Sequence, residues 1–254
     1  MLAAKRHELI LTALRTAGVV STEDLATRLE ASPETIRRDL VILEGTGALR
    51  RVHGGAASAL GMDGEEASFA DRSSSGTEAK RAIGRRAAEL VRPGQTVILD
   101  VGTTALEVAR ALPADFRGTV ATCSLRVAAE LSTRRDAEIL VSGGRLRTGD
   151  LSMANAQTVA FFADLRADIA FLGSGGVDAV SGLTDFHLDE IASRRVIIAN
   201  SARSFVLADN TKLGRIAPHR VCGLTDLAGL ITDGSVPKPL QVALGVAGSA
   251  VLSA

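Results

Sequence analysis

The chain has no tryptophan and no tyrosine, and aromatic residues make up only 3% of its 254 residues. Proteins that grip single-stranded nucleic acid stack bases on aromatic platforms, so this composition argues against that class. Two cysteines, Cys123 and Cys222, are too few for a disulfide framework and suit a reducing compartment. No group of His, Cys and acidic residues has zinc spacing, so no metal is expected, and His187 and His219 stand isolated. There is no GxxxxGK[ST] loop. No GxGxxG opens a helix after a strand with an acid about 20 residues on. No nucleotide cofactor is therefore expected. The N-terminus carries no long apolar run of the signal-peptide kind. The apolar segment 240–254 is too short and too rich in small residues to span a membrane, and it reads as a last helix and strand. The expectation is a cytoplasmic protein without membrane association. The 29 basic and 29 acidic residues cancel, so the field of the whole protein does not draw in a polyanion by itself.

What the chain does have is periodicity, with 46% hydrophobic residues to fill a core in one or two domains. Residues 6–16 read as a helix with Leu9, Ile10, Ala13 and Leu14 inward, ending near Gly18. Ser21-Thr22-Glu23-Asp24 starts a second helix in the manner of a capping box, and Leu25, Ala26 and Leu29 form its apolar face. After a short turn Ser32 caps a third helix, and Pro33 fits its first position, where no N–H is needed. Ile36, Leu40 and Leu43 make one face apolar, and Arg38 lies opposite, flanked by Thr35 and Arg37. This helix is expected to end at Gly45 or Gly47. Leu49-Arg50-Arg51-Val52-His53 then runs into a Gly54-Gly55 turn.

Adjacent arginines on a helix are most often a solvated face, and a basic turn is most often only a turn. Three short helices followed by a basic hairpin within residues 1–57 form a more specific pattern, a winged helix-turn-helix on duplex DNA. Those residues hold eight Lys/Arg against seven Asp/Glu, so affinity has to come from placement. The expected contacts are Ser32, Thr35, Arg37 and Arg38 on the recognition helix, with Arg50, Arg51 and His53 on the wing. Few phosphate contacts per protomer imply that a dimer or tetramer binds.

The runs Thr35-Ile36-Arg37-Arg38-Asp39-Leu40 and Arg51-Val52-His53-Gly54-Gly55-Ala56, with Leu43-Glu44, Gly47 and Leu49 between them, resemble the DeoR family of bacterial transcriptional regulators. The resemblance implies a repressor of a sugar-metabolism operon, released by a phosphorylated sugar effector.

Residues 58–76, rich in Gly, Ala, Ser and acids, read as a linker, and 77–254 as a second domain. A helix is expected from Thr77 to about Val91, with Ile83, Ala87 and Leu90 inward. Short apolar strands then alternate with helices: Val97–Val101, Thr119–Ala121, Ile139–Val141, Ile169–Leu172, Ser204–Ala208 and Leu230–Thr232. That alternation predicts an α/β domain around a mainly parallel sheet covered on both faces. Ligands bind such sheets at the carboxyl ends of the strands. Those ends carry Asp100, Gly102, Thr103 and Thr104, then Thr122 and Ser124, then Gly143 and Gly144, and finally Lys212. Any one of these loops is most simply a turn. Together, with an isolated lysine in an arginine-rich chain, they favour a pocket for a small anion. Asp185, Asp189 and Glu190 could transfer protons on a sugar. Adjacent helical residues do not face each other, so these acids read as ligand-facing or surface groups.

This half resembles the DeoR effector domain, itself similar to ribose-5-phosphate isomerase and the sugar-phosphate deaminases. The matching runs are DVGTT from Asp100, TCS from Thr122, SGG from Ser142, GLT from Gly182 and ADNTKLG from Ala208. The resemblance implies a phosphate on Gly102, Thr103 and Thr104, with Lys212 as a charged ligand group. Cys123 stands where the family commonly has asparagine, and Asn210 where serine is usual. GSGGVD, from Gly173, replaces the isomerase's acid-bearing loop, so carboxylates are expected to be missing near Gly175 and catalysis with them. The competing expectation is a sugar-phosphate isomerase or deaminase with a DNA-binding extension.

Overall fold

A computed structural model describes residues 2–17, 19–46, 48–52, 54–58 and 66–254. Gly18, Gly47, His53 and residues 59–65 lie outside these, as do the side chains of residues 15–17, 19, 50, 57 and 58. The chain divides into two units, Met1–Ala67 and Ser68–Ala254.

The first unit runs α1 (Ala3–Ala17), β1 (Val19–Ser21), α2 (Thr22–Arg28), α3 (Pro33–Gly45), β2 (Leu49–Val52) and β3 (Gly55–Ser58). The caps visible in the sequence set the helix starts. Ser21 Oγ accepts the Asp24 N–H at 2.9 Å, and Ser32 Oγ accepts the Thr35 N–H at 3.2 Å, satisfying first-turn donors that lack helical partners. Ile10, Leu14, Leu25, Ile36, Leu40 and Leu43 close the core between the helices. The strands pair antiparallel in the order β1-β3-β2. β1 is too short for its alternation to be legible in the sequence. Gly54 turns the wing with φ +82°, and a Cβ on Gly55 would sit 2.1 Å from the Val20 carbonyl oxygen. The two glycines therefore answer different needs, conformation and space.

Among the described residues of this unit, a charged one lies inside. Asp39 is 3% exposed, accepts from Arg6 Nε at 2.5 Å and Arg6 Nη2 at 3.1 Å, and lies 2.8 Å from His7 Nε2. These contacts tie α3 to α1. Burial pushes the Asp39 carboxyl up, but the hydrogen bonds and charges of Arg6 and His7 outweigh it and hold the carboxyl below its ordinary range.

The second unit begins with α4 (Phe69–Ser74) and α5 (Thr77–Ala88), followed by β4 (Thr96–Leu99), α6 (Thr103–Ala111), β5 (Gly118–Thr122), α7 (Leu125–Leu131) and β6 (Ala137–Val141). The hairpin β7 (Leu146–Arg147) and β8 (Ser152–Met153) leads to α8 (Ala156–Ala163) and β9 (Ile169–Leu172). Then come β10 (Gly176–Asp178), β11 (Gly182–Asp185), α9 (Leu188–Asn200), β12 (Ser204–Leu207), β13 (His219–Cys222), β14 (Gly229–Thr232), α10 (Lys238–Ala247) and β15 (Ala250–Ser253). Seven strands form one parallel sheet in the order β15-β14-β12-β9-β4-β5-β6. Successive residues feed opposite cores: Ile98 packs with Phe162, Ile197 and Leu240, whereas Val97 and Leu99 pack with Ile83, Ala109 and Val127. Both faces are buried, which is why the strands read as continuous apolar runs.

Two features depart from the expected layout. A helix, α4, lies in the segment read as linker. It is too short to show a period and is held by distant contacts: Arg126 lies 3.9 Å above the Phe69 ring, and Arg72 pairs with Asp150. Beside the main sheet stand the small antiparallel sheets β10-β11-β13 and β7-β8.

The Asp39 contacts have a measurable consequence. Asp39→Asn should destabilise the first unit by about 1.5–3 kcal/mol, the worth of hydrogen bonds to a buried charged group, because it removes the carboxylate that Arg6 and His7 both engage. The carboxyl's lowered folded-state value means that its contribution is present above the unfolded carboxylate range and is lost as pH falls through the folded value. In thermal melts the gap between parent and variant should be full at pH 7 and narrow below about pH 4. Identical melts at pH 7 would refute the tie.

Candidate nucleic-acid interface and ligand pocket

The outward face of α3 carries Glu34, Arg37, Arg38, Val41 and Ile42. The Arg38 side chain is 78% exposed and that of Arg37 57%. Glu34, marked by no motif, lies between them, with Oε2 3.4 Å from Arg37 Nη1 and Oε1 3.6 Å from Arg38 Nε. Exposed pairs of this kind contribute about 0–1 kcal/mol, so a phosphate or a base edge displaces them readily. Ser32 and Thr35 stand at the start of the same helix, their hydroxyls 2.8 Å apart within the cap. On the wing, the Arg51 N–H donates to Glu44 Oε1 at 2.9 Å, and its exposed guanidinium lies 4.0 Å from Glu44 Oε2. Glu44 thus fixes the wing's root to the end of α3. The Arg50 side chain and His53, both expected on DNA, lie outside the described residues.

The residues expected to hold the effector lie where the parallel strands end. After β4, Gly102 takes φ +128° and offers no side chain to cap α6. The first-turn amides of α6 and the buried Thr103 and Thr104 together make a helix start suited to an anion. Lys212 follows β12 in a 3-10 turn, with its ammonium on the Ser174 carbonyl. A second lysine, Lys80, joins it. Lys80 is 5% exposed and donates to the carbonyls of Arg72 and, at 2.5 Å, Ser75. Burial lowers its pKa; Asp209 opposes that shift, while Lys212 and Arg72 add to it. The signal for Lys80 was in the sequence: it shares the helical stripe of Ile83 and Ala87, which both turn inward.

Other expected ligand residues have local partners. Thr122 Oγ1 accepts from the Ser124 N–H at 3.0 Å, and Ser124 Oγ caps α7 through the Val127 N–H at 3.4 Å. Gly143 and Gly144 take φ of +65° and +103°, and a Cβ on Gly144 would lie 2.3 Å from the Asn155 side chain. Asp100 accepts from the Gly173 N–H at 3.0 Å and from Arg194 Nε at 2.6 Å.

Arg194 is the hub of an ion cluster beside Asp100. It is 3% exposed, and its three nitrogens meet Asp100 Oδ2 at 2.6 Å, Asp185 Oδ2 at 2.5 Å and Glu190 Oε2 at 3.1 Å. Glu190 also pairs with Arg147, Arg147 with Asp150 at 2.6 Å, and Asp150 with Arg72. One expectation is corrected here: Asp185 and Glu190 are buried clamps rather than surface groups, and of the three acids only Asp189 is exposed. The Gly173 loop itself carries no carboxylate before Asp178, and a Cβ on Gly175 would lie 2.9 Å from the Asp185 Cα on β11. Burial, with Asp185 and Asp100 nearby, raises Glu190 to about 7 against the opposing charges of Arg194 and Arg147.

A folded-state value of about 7, above the ordinary 4.5, means that the folded protein keeps a proton the unfolded chain releases. Stability contributed by that proton is complete below about 4.5 and lost as pH rises to about 7. Glu190→Gln mimics the protonated acid. The variant should melt near the parent at pH 5 and several degrees above it at pH 8. A difference in melting temperature that is constant with pH would sink this assignment.

Residues 6–60 match the family described as the DeoR-like helix-turn-helix domain, and residues 75–234 match the DeoR C terminal sensor domain. The glycerol-3-phosphate regulon repressor of Escherichia coli (strain K12) is 34% identical over 94% of this chain and 93% of its own. The HTH-type transcriptional regulator GlpR of Haloferax volcanii is 35% identical over 99% of this chain and 98% of its own. Among solved structures, ribose 5-phosphate isomerase A from Methanocaldococcus jannaschii aligns over 55% of each chain at 19% identity, with a TM-score of 0.40. The probable sor operon regulator from Shigella flexneri aligns over 65% of this chain and 88% of that one at 12% identity, with a TM-score of 0.43. With both family matches covering most of its length and full-length relatives above 30% identity, the chain belongs to the DeoR family of transcriptional regulators.

Proposed function

We propose that the protein is a repressor that holds duplex DNA through α3 and the wing and lets go when a phosphorylated sugar or polyol fills the strand-end pocket. The observation that carries the effector half is the pair of lysines, Lys80 and Lys212, gathered in the unit whose α6 start is uncapped. The name of the Escherichia coli relative, a glycerol-3-phosphate regulon repressor, supports a phosphorylated polyol. Arg38 faces base edges, where guanine offers a bidentate acceptor pair, and Arg37 and Arg51 face phosphates. The protein acts as a dimer or tetramer on a two-fold operator.

The phosphate sits on Gly102, Thr103 and Thr104 with Lys212 and Lys80. Lys80 links this site to α4, whose last carbonyls it holds. A phosphate competes for that ammonium and loosens α4, the helix inside the segment that joins the two units. Release of DNA then follows from the effector's preference for the loosened state. A second reading is a sugar-phosphate isomerase. Its support is Glu190, poised at about 7 as a general base would be. Both Glu190 oxygens are engaged by arginines, which favours binding without turnover.

Operator duplexes selected from a random pool by the full-length protein test the DNA half. Arg38→Ala should lose about 10- to 100-fold on the operator and less on scrambled DNA, whereas Arg51→Ala should weaken both alike. Unchanged operator binding by Arg38→Ala would remove α3 from the groove. For the effector half, sn-glycerol 3-phosphate and ribose 5-phosphate are titrated into the operator complex. Lys212→Met should need one to two decades more effector, with unchanged operator affinity in its absence. Release at equal concentrations would place the phosphate elsewhere. Product forming at about 1 per second or faster in the same incubations would make the protein an enzyme.

A further inference from the structure

The inward face of α3 is fully used by Ile36, Leu40 and Leu43. Yet Val41 is 50% exposed and Ile42 55%, one turn beyond Arg38 on the opposite side. Solvated helix positions favour Lys, Glu and Gln, and β-branched residues are weaker helix formers there. The pair contributes nothing to the core. With Glu34, Arg37 and Arg38 it lines a shallow groove of about 400 Å³. A patch of five residues is far smaller than the roughly 20–30 per side of a stable protein interface. Two arginines and one glutamate border it, leaving one net positive charge, which suits a polyanion whose interior offers small apolar groups. The major groove of DNA admits a helix, and the thymine C5-methyl is the apolar group displayed there.

Resting on the DNA reading above, we infer that Val41 and Ile42 form a second reading element of α3, which selects thymines by contact with their C5-methyl groups next to the bases met by Arg38. Specificity along the helix then has two chemistries, hydrogen bonding at Arg38 and apolar contact one turn later.

The test uses full-length protein and the selected operator, with each thymine replaced in turn by deoxyuridine, which deletes only the methyl. For the parent, one or two positions per half-site should lose about fourfold each, the equivalent of one buried carbon. Ile42→Ala or Val41→Ala should bind the thymine operator more weakly and be insensitive to uracil at one of those positions. Both residues are exposed, so melting temperatures should match the parent. Uracil tolerated at every position, or an equal loss in parent and variants, would overturn the inference while leaving an Arg38-dependent repressor intact. A change of oligomeric state in Val41→Ser/Ile42→Ser, with operator contacts unchanged, would assign the patch to a second copy and overturn it too. Failure of the parent to select any duplex would instead sink the DNA reading itself.

Discussion

Arg194 has been taken out of water, and a buried guanidinium is tolerable only with carboxylates held at bonding distance. Meeting that demand arranges the sensor unit. Asp100 is drawn from the end of β4, Asp185 from β11 and Glu190 from one turn earlier on α9. Asp100 in turn receives the Gly173 N–H, so the loops after β4 and β9 are pinned to the same ion cluster. Asp100 stands two residues before Gly102, so the turn into α6 starts from this cluster. The chain of charges continues through Arg147 and Asp150 to Arg72 on α4. The cluster and the first helix of the unit thus share one network of ions.

How legible this was depended on the range of the interaction. Strands such as Ile169–Leu172 are apolar at every position because both sheet faces are covered, and that needs no knowledge of partners. Ser21 and Ser32 act on amides three residues away and could be read as caps. Asp39 could not be read in the same way. It sits in a charged run, and only the meeting of α1 with α3 reveals it as an interior residue. Arg194 and Asp100 are 94 residues apart, and no period links them. Lys80 was within reach, since its helical stripe points inward.

The molecule meets two anionic ligands in contrasting ways. On the DNA side, arginines stand in water beside Glu34 and Glu44, which soften their pull on any phosphate. That lowers affinity for arbitrary sequence more than for a site with well-placed bases, and the ratio of the two is what a genome-wide search requires. In the second unit, Lys80 is buried and Lys212 half-buried, and a charge drawn out of water acts more strongly on an anion placed beside it. A zero net charge is compatible with both, because neither site relies on the long-range field.

α3 divides its labour by face. Asp39, Ile36, Leu40 and Leu43 hold the unit together, while Glu34, Arg37, Arg38, Val41 and Ile42 stand clear of the core. Substitutions on the second set leave folding stability almost unchanged, as surface exchanges generally do. A lineage carrying this helix can therefore drift from one operator to another by single steps without passing through an unstable intermediate. Duplicated copies can part ways in their targets long before their folds diverge.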